Sequence, residues 1–496
     1  MNSKVLKFTN NVFDLEVLSN KEFIEMIDNF SKISKKLGYI GFDSKVNGKT
    51  VIVLKKLGII TEHQLIDRIQ SILKTDQFND LIKVCNSLIE VNIEQIDELK
   101  KFNYSYRRKL VTKEKTSNKP TIVDLFCGAG GLSLGFVQNG YRIIFANDIE
   151  KSTLRTYSFN HPEVEGEGIT LGGIEDIAQD VRNYIQEEVD VLVGGPPCQG
   201  FSMANRQRII DDPRNILYKY YVESVKNLKP KIFLMENVKG MKNVADQVVE
   251  DFNTAMDVHY DISFEVFNAK LYGVPQNRER LIYIGIRKDV MKDSDINAEK
   301  IIDLIKKEAL SNEVSLIDSI GDLKELKASR VKNSTEVDSL DSGEKISLSH
   351  ILLTNYTESI NLGSVQRIIY NHKARYNNDR DIEIYDRMHP GDKSDSERIK
   401  DIMPYKNRNH IFKDKYFKLF PNKPCKTITA HMKFDCNMYI HPFQARGLTP
   451  REAARVQSFP DSYFFLGPYT KTYMQIGNSV PPLLSRKFAE IIKQFV

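Results

Sequence analysis

Residues Gly194 to Ser202 read Gly-Gly-Pro-Pro-Cys-Gln-Gly-Phe-Ser, and they put a thiol, Cys198, in a setting that a packing cysteine does not need. The run Val189-Asp190-Val191-Leu192-Val193 leads straight into it and reads as a buried strand. Two glycines and two prolines then forbid further regular structure, so the thiol is presented on a stiff loop at a strand end. How far a thiol acts as a nucleophile depends on how much thiolate its site allows. The arrangement suggests covalent attack on a substrate that approaches the edge of a sheet.

Three more clusters carry chemistry. Asp124-Leu125-Phe126-Cys127-Gly128-Ala129-Gly130-Gly131 sets glycines between a strand and a helix, where a ligand can approach the backbone and use the helix N-terminus. Asn147-Asp148 stands at the end of the next strand, where an acid can hold ribose hydroxyls. Together the two imply an adenosine-type cofactor, and the loop does not match GxxxxGK[ST], which disfavours ATP chemistry. Met235-Glu236-Asn237-Val238 places a carboxylate at a strand edge, expected to face the same crevice as Cys198. In Gln276-Asn277-Arg278-Glu279-Arg280, alternation puts Gln276, Arg278 and Arg280 on one face, a row of donors suited to a polar base or a phosphate.

The elements that must position these groups begin at 121. Ile122–Phe126, Ile143–Ala146, Val189–Val193, Ile232–Met235, Ile262–Phe267 and Leu281–Ile286 read as strands, and Gly131–Asn139 and the stretch around Ile216–Leu228 read as helices packed on them. The 496 residues are expected to divide into a helical segment 1–100, a basic linker 101–120, an α/β core 121–290, an irregular insertion 291–445 and a return to the core at 446–496. In the first segment Ser19 or Asn20 caps one amphipathic helix, Thr61 with Gln64 makes a capping-box pattern, and Leu54–Ile72 could form a helix-turn-helix. Thr449-Pro450-Arg451-Glu452 is a strong helix start. With 71 Lys+Arg against 66 Asp+Glu the charge permits a nucleic-acid partner without demanding one. The stretch 100–120 is a solvated linker or, on the sharper reading, a phosphate-contacting arm. Five cysteines without a CxxC pair argue against disulfides and zinc and fit a reducing cytosol, and Cys425 and Cys436 lie too far apart around His431 to suggest a metal. No signal peptide and no run of 18 apolar residues is present, so no membrane contact is expected.

The ordered set DLFCGAGG, ND, GGPPCQGFS, ENV, QNRER, RGLTPREAARVQSFP and QIGNSVPP resembles the DNA cytosine-5-methyltransferase family, bacterial type, over residues 121–290 and 446–496. The resemblance implies an S-adenosylmethionine-dependent methyltransferase fold: a Rossmann-like α/β sheet with helices on both faces, an irregular target-recognition domain at 291–445 and a helical N-terminal domain of unassigned role. It implies that Cys198 adds to cytosine C6, that Glu236 hydrogen-bonds the amino group and N3, and that Arg280 holds O2 while Arg278 and Gln276 order the catalytic loop. Methyl would then pass from S-adenosyl-L-methionine to C5 of a flipped-out base in double-stranded DNA. Gln199 to Asn205, hinged at Gly200, would close over that base, with Gln199, Ser202, Gln276 and Thr427 (the last in the family-like Thr427-Ile428-Thr429-Ala430-His431-Met432) on the substrate side. On the cofactor side it implies Phe126, Gly128, Gly130, Gly131, Asp148, Pro196, Asn478 and Val480, with Asp176-Ile177 as the adenine-contacting pair. Ile149 stands where many members carry an aromatic residue.

Three rivals are set aside by the same residues. An amino-methyltransferase places an aromatic after the proline pair, where this chain has Cys198; the tRNA branch shows a Cys-Phe-Thr triplet that is absent here; a catalytically idle relative would not need Cys198, Glu236 and Arg280 together. A monomer is expected, in a bacterial cytoplasm beside the nucleoid, serving restriction-modification or epigenetic marking, with a cognate restriction endonuclease as a functional rather than physical partner.

Overall fold

Val, Ile and Leu dominate the runs near 122, 191, 232 and 282, the composition of strands buried on both faces. The computed structural model describes residues 5–61, 66–197, 217–291, 296–332, 337–349, 354–404 and 415–496, and in it these runs form the middle of an eight-stranded sheet. The strands in chain order are β1 (Leu6–Lys7), β2 (Thr121–Leu125), β3 (Arg142–Asp148), β4 (Ile169–Leu171), β5 (Val191–Gly194), β6 (Ile232–Val238), β7 (Tyr260–Asn268), β8 (Gln276–Asn277) and β9 (Glu279–Arg287). The sheet order is β1-β4-β3-β2-β5-β6-β9-β7, with β8 outside it. Strands β2 to β6 run parallel, β9 lies antiparallel between β6 and β7, and β1 is antiparallel to β4.

The two-residue period of the strands sorts their side chains onto two cores. Ile122, Val191, Val193, Ile232, Leu234 and Ile284 pack with Leu132 and Phe136 of the helix Gly131–Gln138, Leu154 and Tyr157 of Lys151–Asn160, and Leu484 and Phe488 of Pro482–Ile492. Val123, Leu192, Phe233 and Met235 face the other way, against Tyr221 and Val225 of Leu217–Leu228 and Val248 and Phe252 of Ala245–Ala255. Helices therefore cover both faces.

Three divisions drawn from the sequence change. The basic stretch is not a solvated linker: Tyr104–Lys115 is a helix capped by the Asn103 side chain, and Arg107, 1% exposed, donates to Asn10 O and to Ser158 O at the end of Lys151–Asn160. Of its other cations, Lys109, Lys115 and Lys119 pair with Glu94, Glu165 and Glu114, while Arg108 and Lys113 are exposed on the same helix. The first hundred residues are not separate either: β1 hydrogen-bonds along β4, and Phe8 N donates to Ile169 O at 3.0 Å, which covers an edge that would otherwise stay unpaired. Third, Ala298–Lys307 belongs with the sheet rather than with the insertion, because Ile301, Ile302 and Ile305 join the first core and Lys306 pairs with Glu265 at 2.7 Å.

In the N-terminal segment Ser19 and Glu22 form the capping box of Asn20–Lys36, and Gly58, at φ +76, caps Gly48–Leu57 in the left-handed region. The Gln64 half of the second capping box, and part of the supposed helix-turn-helix, lie outside the described residues. Beyond Lys307 three short strands matter below: β10 (Ile346–Leu348) and β11 (Ile368–Tyr370), which pair antiparallel, and β12 (Cys425–Lys426), which pairs parallel with β8. The Thr449–Glu452 capping box starts the helix Pro450–Val456 as its sequence requires.

Candidate active site

From β2 the parallel strands proceed to β3 on one side and to β5 on the other, so the order reverses between β2 and β5. In such sheets the crevice outside the carboxyl ends of the strands at that reversal takes the ligand. The register brings the chemistry there. Leu125 lies beside Asn147 and Gly194, Gly194 beside Met235, and Val238 beside Arg280. The glycine loop, Asp148, Gly195-Pro196-Pro197, Glu236 and Arg280 thus share one edge.

On one side of the crevice the backbone leaves β2 through Phe126, at φ +56, and Gly128, at φ +54. Nothing stands within 4 Å of where a Gly128 Cβ would be, so that backbone faces open space. Gly130 and Gly131 are constrained from behind: a Cβ would lie 2.8 Å from Tyr463 Oη and 2.9 Å from His161 Nε2 at the first, and 2.2 Å from Val480 O at the second. Gly128 N and Glu150 N donate to the two carboxylate oxygens of Asp148, at 3.0 and 2.8 Å, and hold the carboxylate at the end of β3. Burial raises the pKa of Asp148, with those two donors opposing it. Beneath the loop, Ser133 donates to Asp124 Oδ2 and shares a 2.8 Å hydrogen bond with Tyr157, while Asp124 Oδ1 is buried without a partner. Burial pushes Asp124 up to about 7.

On the other side Glu236 and Arg280 form an ion pair, Nε to Oε1 at 2.7 Å, with side chains 13% and 15% exposed. Gly195 admits this carboxylate, since a Cβ there would meet Glu236 Oε2 at 2.9 Å. Asn237 Nδ2 donates to Pro196 O at 3.1 Å and ties β6 to the proline turn. Pro196 is buried and Pro197, the last described residue before Cys198, is exposed. Cys198, Gln199 and Ser202 lie outside the described residues.

The row of three donors expected from alternation is not what forms. Gln276 is fully buried; its Nε2 donates to Gln457 Oε1 and Val456 O, and its Oε1 accepts from Ile428 N at 2.7 Å. Arg278, 1% exposed, donates to Ile428 O and Gly477 O. Burial, with Arg280 adding to it, lowers the Arg278 pKa. Both side chains therefore fasten the framework behind the crevice, and neither offers a free face to a substrate; only Arg280 turns to the carboxylate. The physical reason is β8, a short separate strand paired with β12, which draws residues 276–278 inward. Thr427 continues that pairing by donating to Asn277 O at 2.7 Å.

Of the other residues expected on the cofactor side, Val480 packs its carbonyl on the glycine helix, Asn478 is exposed at the end of Tyr469–Asn478, and Ile149 is 71% exposed. Asp176 is exposed but Ile177 is wholly inside the apolar core with Val123 and Phe145, so the structure does not bring it to the crevice. Cys85, Cys127, Cys425 and Cys436 are all buried, and burial pushes every one of their thiols up, Cys425 to about 12. Among the described residues no group of three or more His, Cys, Asp or Glu is placed to hold a metal ion.

Sequence reasoning missed the groups beneath and behind the loop: Ser133, Tyr157, His161 and Tyr463, whose hydroxyl donates to Ala129 O. They come from distant segments and leave no local pattern. It also missed Arg446, Arg451 and Arg455, all buried, which bind Glu452, the carbonyls of Tyr370 and Pro460, and Asp461. The i, i+4 spacing of Arg451 and Arg455 on Pro450–Val456 is a signal, though it reads as a charged helix face rather than a buried one; Arg446, ahead of that helix, leaves none.

The family described as C-5 cytosine-specific DNA methylase matches residues 120–494. The chain is 35% identical over 397 residues to the type II methyltransferase M.DdeI of Desulfomicrobium norvegicum, covering 75% of this chain and 88% of that one. It is 32% identical over 386 residues to M.FnuDI of Fusobacterium nucleatum, covering 75% and 94%. A crystal structure of a putative DNA modification methyltransferase encoded within an E. coli prophage shares the fold, with a TM-score of 0.58 at 24% identity, over 76% of this chain and 99% of that one.

Proposed function

The chain belongs to the C-5 cytosine-specific DNA methylase family, and on that premise we propose that it methylates cytosine C5 in a specific double-stranded DNA sequence through a covalent adduct of Cys198, as the modification half of a type II system. The observation that carries the proposal is the Glu236–Arg280 pair at the edge where Pro196 and Pro197 lead the chain toward Cys198.

Cytosine C5 is a weak nucleophile until something adds at C6. In the proposed sequence the Cys198 thiolate forms a bond to C6, and its electron pair passes to the ring. Glu236 accepts from the exocyclic amine with one oxygen and holds a proton between the other and N3, and Arg280 donates to O2, so charge developing on the ring meets fixed groups in a partly dry site. The 2.7 Å pair orients both side chains before the base arrives. After methylation, water takes the C5 proton, the C–H electron pair restores the C5–C6 double bond, and the C6–S bond breaks to release the thiolate. The base must leave the duplex to be reached at all.

The residues present fit S-adenosylmethionine. Gly128 leaves its backbone open, Asp148 is fastened at the end of β3 where a ribose diol would bind, and Asp124 Oδ1 has an unused acceptor beneath the loop. When bound there, S-adenosylmethionine supplies the methyl group. Phe126, Gly128 and Asp148 hold it, Gly130 and Gly131 let the loop lie flat, and Pro196 and Val480 close the sides; Asn478 stands at the rim.

A duplex carrying 5-fluorocytosine at the target tests the mechanism, because the missing proton prevents release of the thiolate. The wild-type protein with cofactor is expected to form a denaturation-resistant complex, and Cys198→Ser to bind the duplex but neither trap nor methylate. Turnover near wild type in Cys198→Ser would overturn the proposal.

A further inference from the structure

The family match begins at residue 120, yet the segment before it is built into the protein through a largely buried charged contact. At its centre is Glu25, on the helix Asn20–Lys36. Glu25 Oε1 accepts from Lys345 Nζ at 2.9 Å and from Gly467 N at 3.1 Å, and Oε2 accepts from Arg155 Nη2 at 3.0 Å. Its partners come from three places: Lys345 leads into β10 of the insertion, Arg155 lies on the helix Lys151–Asn160 beneath the sheet, and Gly467 leads into Tyr469–Asn478. The side chains of Lys345 and Arg155 are 4% and 6% exposed. Burial raises the pKa of Glu25, and the charges of Lys345 and Arg155 more than reverse it, holding it at about 2.

Further ties run in parallel. Glu22 pairs with Lys151 and Arg155; Lys36 pairs with Glu344 at 2.8 Å; Arg367, next to β11, binds Glu98 through two hydrogen bonds. Ile346, Ile368 and Tyr370 of β10 and β11 lie in one apolar cluster with Phe23, Ile27 and Phe30. The N-terminal helices thus grip the insertion with one face and the sheet's supporting helix with the other.

We propose that residues 1–119 are a brace that fixes the insertion's position against the catalytic sheet, with Glu25 as the positioning residue, so that target discrimination depends on a segment outside the family's own domain. Two cations with almost no access to water meet at one carboxylate, and a buried arrangement of this kind specifies a single geometry more than it adds stability. Without the Glu25 charge, Lys345 and Arg155 lose the anion they share, and the tie that holds β10 to the sheet's helix is loosened even though Arg155 keeps Glu22. The inference rests on reading the insertion as the part that recognises DNA.

Glu25→Gln keeps the size and an acceptor for Gly467 N while removing the charge. It is expected to raise the DNA KM and to lower the cognate to near-cognate rate ratio by about fivefold or more each. Its kcat at saturating DNA and its cofactor KM should stay within about twofold of wild type. Amide exchange in 345–349 and 367–371 should quicken by about tenfold, a readout that needs neither DNA nor activity. Lys36→Glu and Glu344→Lys guard against a folding defect: each alone should raise the DNA KM, and the double reversal should restore it. Unchanged exchange and discrimination in Glu25→Gln, a cofactor KM that worsens in step with the DNA KM, or a double reversal that restores nothing would overturn the brace. A wild-type protein that methylates no duplex would overturn the functional reading instead, and the exchange measurement would still decide whether the brace exists.

Discussion

Glu236 and Arg280 reach each other from adjacent antiparallel strands, and their meeting depends on the register of β6 and β9, which sets Val238 opposite Arg280. Asp124 is the other residue whose chemistry its surroundings decide. It is a strand carboxyl with one hydroxyl donor, and burial lifts its pKa from 3.8 to about 7. An acid with a raised pKa holds its proton more tightly in the folded state. Its contribution is therefore fullest below pH 3.8, falls as the pH climbs to about 7, and is level above that. The span corresponds to about 4 kcal/mol at most. Melting temperatures of the cofactor-free protein at pH 5 and pH 7.5 should show a decline that Asp124→Asn largely removes. Equal declines in both proteins would mean that Asp124 does not titrate in this window.

The glycine turn and the helix Gly131–Gln138 act as one element, and their glycines are required for different reasons. Gly131 is pressed on Val480 O, which is backbone and cannot swing aside. Gly131→Ala should therefore force away the segment that leads into the helix Pro482–Ile492, at a cost of about 1–3 kcal/mol. Gly128 has room for a Cβ but sits at φ +54, so Gly128→Ala carries only left-handed backbone strain of about 1–2 kcal/mol. Calorimetry should find the Gly131 variant the less stable of the two. Cofactor titration should find Gly128→Ala weakened beyond its loss of stability; normal binding there would place the cofactor elsewhere. The same scale explains β8. Two residues paired with β12 turn Gln276 and Arg278 inward, and a reading of alternation alone kept them in line with Arg280.

At the scale of the whole molecule, the apolar cluster of the N-terminal helices also contains Phe159 from the sheet's helix, Ile346 and Ile368 from the insertion, and Phe464 and Leu466 from the C-terminal return. A chain shortened to begin at residue 120 would match the family and still expose that surface, together with Arg155 and Lys345 stripped of Glu22 and Glu25. It is expected to be insoluble or to lack the near-ultraviolet circular dichroism of fixed aromatic packing, whereas a soluble, active truncated chain would show the N-terminal segment to be dispensable. Among the described residues no helix is long and apolar enough to cross a membrane.

What the sequence by itself determined is the local part: strands whose apolar runs and turn residues announce them, the glycine turn, the helix cap at Ser19, the capped helix start at Thr449, and an ordered motif set specific enough to name the family. These are legible because each rests on neighbours within a few residues, where backbone preference and side-chain type act together. The strands β1 and β4 were not legible, being too short for a period to show, and neither was the inward turn of Gln276 and Arg278. Only the tertiary structure could decide that the supposed linker is an anchored helix and that Glu25 meets cations more than a hundred residues away. Burial sets the strength of such contacts, and which residues are buried together is a property of the folded chain, with no counterpart in local spacing.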